Sequence, residues 1–421
     1  MDPPADVEVV LTHDRVHYFD SSTLRRHSTF FAQNLSTKNA VRLAGRAKNA
    51  GVTTRWRVEL RELPPNGGNT GRLHLIELDS MGRVGPSYTP LMPLNENGKV
   101  PLKLFEHYEN ILGAFYGREI EINDMSIASA LEDAVGLTEV AEYLGSIAVV
   151  SKSIDIALFK QGQVLFRSIS VNPSAWADLG YRIQSELIYK ETVIHLAGRW
   201  PGLTDAEKAA LHDDTRAVCQ KHHEKLQEKR KQLELCVVAV YPGGLTKSKD
   251  EEHRRQQYSN DVLVWVSLSY FRHWFAQNII NGNGSLSKDG GYKLYSQLAA
   301  AGDAYMDKGL MNQFYKKFTM TKKAQGVVEN HLLEFKECIK QAVEKSNILE
   351  SESQLDLHRH PVNYLTCAQV DKVDFPWLKT REPLKRTRVI RNAHSFFDAN
   401  GDDINDMDLD ENEDYKRSRN T

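Results

Sequence analysis

Cysteine is scarce in this chain and nowhere closely paired. The four residues, Cys219, Cys236, Cys338 and Cys367, are widely spaced with no C-x-x-C among them. That pattern speaks against a disulfide framework and suits a reducing compartment. Charge of one sign is lacking too. The 54 Lys and Arg against 56 Asp and Glu leave a net −2, so no global field draws the protein to nucleic acid or an anionic membrane surface. Long apolar runs are few. The one stretch that could pass for a membrane span, residues 262–280, carries Arg272 and His273 near its middle. Its unbroken apolar part falls short of the roughly 20 residues a bilayer core requires, so it predicts a buried helix. The opening MDPPADVEVV lacks the basic region and apolar run of a secretory leader, which predicts an intracellular protein, cytoplasmic or nuclear. No internal repeat of the solenoid kind is present.

Reactive motifs are also missing. The glycine-rich stretch from Gly67 to Arg72 is not followed by Gly-Lys-Ser/Thr and reads as a plain loop. His222-His223, His358-x-His360 and Cys367 are ligand types without a zinc-finger or H-E-x-x-H spacing. Asp398, Asn400 and Asp402 alternate like the first ligands of a calcium loop, behind Phe397. Position six is Asp403 instead of Gly and position twelve is Leu409 instead of Glu, so a solvated acidic tail is the better reading. There is no G-x-S-x-G and no cysteine in a nucleophilic setting. The sequence therefore assigns no catalytic residue, no cofactor and no metal. An enzyme built on the helical region would draw on His195, Arg199, Arg272 and His273. The plainer reading of the last two is a buried structural pair, satisfied by a carboxylate and a backbone carbonyl.

What the chain does contain is ordinary globular material: 421 residues, 41% hydrophobic and 26% charged, enough for roughly two to three domains. Residues 102–144 form its organising stretch. Phe105, Tyr108, Leu112 and Phe115 share one helical face, and Gly117 stands where the helix must stop. Ile120 and Ile122 alternate with Glu119 and Glu121 as in a short strand. Two further helices follow, broken at Gly136 and restarted by Thr138 as an N-cap. Ahead of this lie a hairpin over residues 7–18, a helix over 20–35, and strands around Trp56, Val58 and Leu60 and around Leu73 and Leu75. Residues 147–200 read as helical, with a boundary at Asn172-Pro173.

A capping box at Thr204 and Glu207 opens a long polar helix to about Leu235, docked along the seam Leu211, Val218, His222, Leu226 and Leu233. The helix over 260–280 is apolar nearly all round and predicts a core centred on Trp265, Tyr270, Phe271, Trp274 and Phe275. From residue 379 the chain is first basic (Lys379 to Arg391, a nuclear import signal on one reading) and then acidic, which predicts a disordered tail.

FDSSTLRRHSTFF, following the hairpin, and LFEHYENILGAFYGREIEI resemble the first helix and the closing helix and strand of a BTB/POZ domain over residues 6–148. Leu24, Ser28 and Phe31 fall at positions of the family pattern, as do Leu112, Tyr116 and Gly117, while Asp20, His27 and the longer middle segment depart from it. Blocks such as GLTEVAEYLGS, VIHLAGRW and DFPWL make nearly all of residues 1–380 similar to uncharacterised BTB-domain proteins of filamentous fungi.

The resemblance implies an α+β chain: a BTB/POZ-like domain over 6–148, with a small sheet and a helical cluster, then a mainly α-helical region over 149–378 and a disordered charged tail over 379–421. It implies a non-enzymatic protein–protein interaction scaffold or adaptor that forms a homodimer through the first helix and adjoining strand. Phe31 belongs to the core on this reading, and Phe30 to either core or dimer surface. A cullin-type ubiquitin ligase is one expected partner, and a second protein would engage the helical region. The alternatives are a nuclear transcription-associated cofactor and an enzyme with a site in the helical region.

Overall fold

Val7, Val9, Trp56, Val58 and Leu60 are β-branched, aromatic or aliphatic residues at every second position, and they build the middle of a small sheet. The strands are β1 (Val7–Val10), β2 (Val16–Phe19), β3 (Trp56–Glu62) and β4 (Arg72–Ile76), in the order β2-β1-β3-β4. β1 pairs antiparallel with β2, as the hairpin pattern predicts, and parallel with β3. β3 pairs antiparallel with β4, with an irregularity at Leu60/Glu62. Glu59, on the polar row of β3, is fully buried. Arg57 Nε (2.6 Å), Arg61 Nη2 (2.8 Å) and the Tyr88 hydroxyl (2.8 Å) close over its carboxylate and supply the partners a buried charge needs.

The computed structural model describes residues 5–62, 71–85, 88–89, 102–240 and 262–379, all within one compact unit. The glycine-rich loop up to Thr70, the charged linker at 247–257, the basic run from 380, the calcium-loop-like residues and the acidic tail lie outside the described residues. The α+β expectation holds at this level, with one small sheet near the N-terminus and helices through most of the remainder.

The helix expected over 20–35 is two: α1 (Ser21–His27) and α2 (Thr29–Asn34). Ser28 divides them, because its hydroxyl caps α2 at Phe31 N and also donates to the Leu144 carbonyl (2.6 Å). After α3 (Gly45–Asn49) and the sheet comes α4 (Leu102–Ala114), which buries Phe105, Tyr108, Ile111 and Leu112. The chain then turns at Gly117 with φ +79°, where glycine escapes the Cβ clash of the left-handed region.

Two expectations fail next. Residues 118–123 do not pair as a strand among the described residues. Their backbone is held by side chains instead, with Asn110 bonded to both backbone groups of Glu121 and the Asp133 carboxylate accepting from Asn123 N (2.9 Å). The two helices expected around Gly136 are one, α5 (Ile127–Leu144). Gly136 is there because the His107 ring lies where a Cβ would sit, and Thr138 is an interior residue bonded to the Ala134 carbonyl.

The helices α6 (Ile147–Phe159), α7 (Gln163–Val171) and α8 (Pro173–Arg182) follow, and Asn172 caps the last at the expected boundary. Most of their buried residues, from Val150 to Ile183, pack into the same cluster as the sheet and α4–α5. A second cluster is built on α9 (Glu186–Arg199), α11 (Asp213–Ala239), α12 (Val262–Ile280), α13 (Tyr292–Ala300), α14 (Lys308–Lys317) and α15 (Lys322–Ser346). The long helix expected from Thr204 is interrupted. Its capping box forms, but over the short α10 (Asp205–Ala209), and α11 starts afresh behind His212. The seam Leu211, Val218, His222, Leu226 and Leu233 is buried as expected.

From Asn347 the chain runs without long regular structure to the short α16 (Pro376–Lys379). It buries Leu355, Tyr364, Leu365, Cys367, Val370, Phe375 and Trp377 and so straps the helices together.

Candidate functional site

α12 is apolar nearly all round, yet among the described residues its neighbours cover only part of it. Val264, Ser267, Leu268, Phe271 and Phe275 face inward, and Ser267 Oγ bonds the carbonyls of Leu263 and Val328. Val262, Trp265, Val266, Ser269, Tyr270 and His273, at helical spacing on another face, open onto a groove of about 650 Å³. Its second wall is α14, through Leu310, Gln313, Phe314 and Lys317, and Phe318 closes one end. The floor is the Tyr270–Phe314 stack, with ring centroids 4.1 Å apart at 22°. Three large apolar residues stand out at the rim: Val262 (70% exposed), Trp265 (43%) and Phe318 (59%). Among the described residues the lining contains no carboxylate. Its one permanent charge is Lys317, and Lys316, Lys322 and Lys323 are exposed around the adjoining turn.

Lys336 positions the α14 wall. Its buried Nζ donates to the carbonyls of Gly302 (2.6 Å), Tyr305 (2.7 Å) and Met306 (3.3 Å) and lies over the Tyr305 ring. Burial pushes the ammonium below its ordinary pKa, while Asp303 and Asp307 pull the other way. The clamp holds a turn with positive φ at Ala301, Gly302 and Met306 directly before Asp307, the N-cap of α14. Sequence reasoning passed over this lysine because three carbonyls from one turn leave no pattern in the chain.

The enzyme candidates scatter. His273 is exposed on the groove, and Arg272 is half-buried outside its lining. The expected buried structural pair is therefore corrected: adjacent helical residues point about 100° apart, and Arg272 is half-buried while His273 faces the groove. His195 is fully buried, with Nδ1 2.9 Å from the Tyr364 hydroxyl and Nε2 3.2 Å from Glu191 Oε1. Ser353 bonds the same Glu191 carboxylate and approaches the same Nε2 at 3.4 Å. In a hydrolytic relay the carboxylate and the nucleophilic hydroxyl sit on opposite ring nitrogens. Here both share one, and the geometry is that of a tie between α9 and the strap. Arg199 donates to the Ser170 and Val171 carbonyls and lies over the Tyr364 ring.

His222 pairs with Asp374 (3.0 Å), which also accepts from Lys221 (2.6 Å). Among the described residues no three His, Cys, Asp or Glu side chains gather as a metal site. No helix of theirs is long and apolar enough to cross a membrane. All four cysteines are free thiols, and Cys219 and Cys367 are buried.

The interaction residues expected near the N-terminus fall mostly inside. Leu24, Ser28, Phe31 and Leu112 are buried. Phe30 is half-buried against Phe31 and Tyr143. Tyr116 is exposed along one edge, with its ring stacked on Phe19 and its hydroxyl accepting from Asp20 N (2.7 Å). Gly117 ends the turn after α4.

Comparison with known families places the similarity elsewhere. Residues 242–345 match a fungal family described as an FF domain, and the described part of that match, 262–345, holds α12 to α15 and both walls of the groove. No curated protein and no solved structure matches the chain. The BTB/POZ resemblance over 6–148, and with it the likeness to fungal BTB-domain proteins, is overturned: the FF match is what the family comparison finds, and no BTB/POZ match accompanies it. The residues that carried the resemblance have local explanations, as a helix cap, a helix stop and core fillers. Such demands recur in unrelated folds.

Proposed function

We propose that the protein is a protein–protein interaction scaffold or adaptor whose docking site is the α12–α14 groove. The observation that carries this reading is the groove itself, an apolar trough with exposed Trp265 and Phe318 at its rim. Exposed apolar surface of this kind is costly to keep in water and marks places where another molecule docks. Its position within the FF-domain match adds support, since that family is generally a protein-interaction module. The ligand that fits is a partner protein's segment with an apolar face, helical or extended. Acidic residues flanking that face would meet Lys316, Lys317, Lys322 and Lys323 and make association salt-dependent.

Affinity purification from native lysate tests the proposal, comparing the full-length protein with the Trp265→Ala/Phe318→Ala double variant. Partners recovered by the wild type and depleted at least tenfold by the variant, at unchanged melting temperature, are the expected result. Identical partner sets for both would remove the groove from consideration.

A further inference from the structure

A second apolar face that no described residue covers lies between α11 and the C-terminal end of α12. Leu235 (70% exposed) and Val238 (45%) from α11 meet Ala276, Ile279 and Ile280 (74%) from α12 around a hollow of about 520 Å³. The inner side of α11 is already filled by Leu226, Leu233 and Val237, so among the described residues Leu235 and Val238 stand outside the core. We infer that this face is where two copies of the chain associate.

Charge favours a second copy as the occupant. The hollow is lined by one cation, Lys231, and one carboxylate, Glu234. Glu234 is already bonded to Ser285 and Tyr295. A surface that meets itself across a two-fold axis must be self-complementary, and a balanced rim around an uncharged centre satisfies that without like-charge repulsion. The α12–α14 groove fails the same test. Pairing it with itself would set the lysine group of one copy, Lys316, Lys317, Lys322 and Lys323, against the same group of the other. The two faces thus divide the work, one for a different protein and one for self-association. The second inference does not depend on the first.

Light scattering on the full-length protein over a range of micromolar concentrations tests it. The expected mass rises from one chain towards two. Val238→Lys and, independently, Ile280→Lys are expected to weaken association at least tenfold. Both positions are exposed, so the circular-dichroism melt is expected to hold. Trp265→Ala in the groove is expected to leave the mass unchanged. Exposed Cys236, beside Leu235, gives a second readout: a bis-maleimide is expected to yield a two-chain species that Cys236→Ser removes and Cys338→Ser keeps. A one-chain mass throughout, or lysine variants that associate like the wild type, would overturn the inference.

Discussion

Asp374 lies buried beneath Lys221 and His222. Burial pushes its carboxyl up, but the Lys221 ammonium, the Asp371 N–H and His222 outweigh that and hold the pKa at about 2. Because the folded value lies below the ordinary one, the stabilisation is complete above about pH 4 and is lost as pH falls towards 2. It is worth about 2 kcal/mol. Asp374→Asn is therefore expected to lower stability by that order at neutral pH and to flatten the acid limb of a melting-temperature profile between pH 4 and 2. His222 works in a higher window. Burial depresses its pKa despite Asp374, so the unfolded chain takes up a proton that the folded one refuses, and stability falls as pH drops below about 6.5.

Lys336→Met would leave three carbonyls without their donor and is expected to cost on the order of 3 kcal/mol in urea unfolding. Gly136→Ala reverses a familiar sign. In an open helix the change stabilises by up to about 1 kcal/mol, but here the new methyl meets the His107 ring, and thermal unfolding should show a loss of roughly 1–3 kcal/mol. The role of each of these four residues is hidden in its sequence context, because it depends on a partner at least 29 positions away.

At the scale of elements, periodicity located most helices and strands and misjudged what ends them. Ser28 splits one expected helix because its hydroxyl has two backbone partners, one of them Leu144. Gly136 fails to split another because its missing side chain serves a neighbour. The alternation of Ile120 and Ile122 does report which side chains turn inward, yet alternation says nothing about whether a pairing strand is available. Asn110 and Asp133 take that place. Asn110→Ala is accordingly expected to speed amide hydrogen exchange at Glu121 while leaving the global melt within about 0.5 kcal/mol. α12 was legible as a helix, and its apolar circumference suggested complete burial. Trp265 and Val262 are outside because α14 stops short of closing over them, a matter of where two helices are set.

At the scale of the molecule, the FF-matched stretch does not own its core. Its buried residues share one cluster with Tyr189, Val193 and Leu196 before it and with Leu365, Val370, Phe375 and Trp377 after it. The strap crosses α9 where Gly198 has no side chain, and a Cβ there would strike the Leu365 carbonyl. Residues 242–345 expressed alone are thus expected to lack cooperative unfolding and to give poorly dispersed amide NMR spectra. A sharp, well-dispersed spectrum from that fragment would contradict this.

The sequence by itself determined the local facts: the hairpin, the helix boundary at Asn172-Pro173, the capping box at Thr204 and Glu207, the stop at Gly117 and the buried seam of α11. Hydrogen bonds and side-chain rows within a few residues of one another decide those, and they are written in order along the chain. Only the tertiary structure decided that His195, Glu191, Ser353 and Tyr364 form a tie, that Lys336 clamps the entry to α14, and that the described residues leave two apolar faces of α12 open. Those depend on which surfaces meet, and apolar spacing records that a face is apolar without recording whether anything covers it.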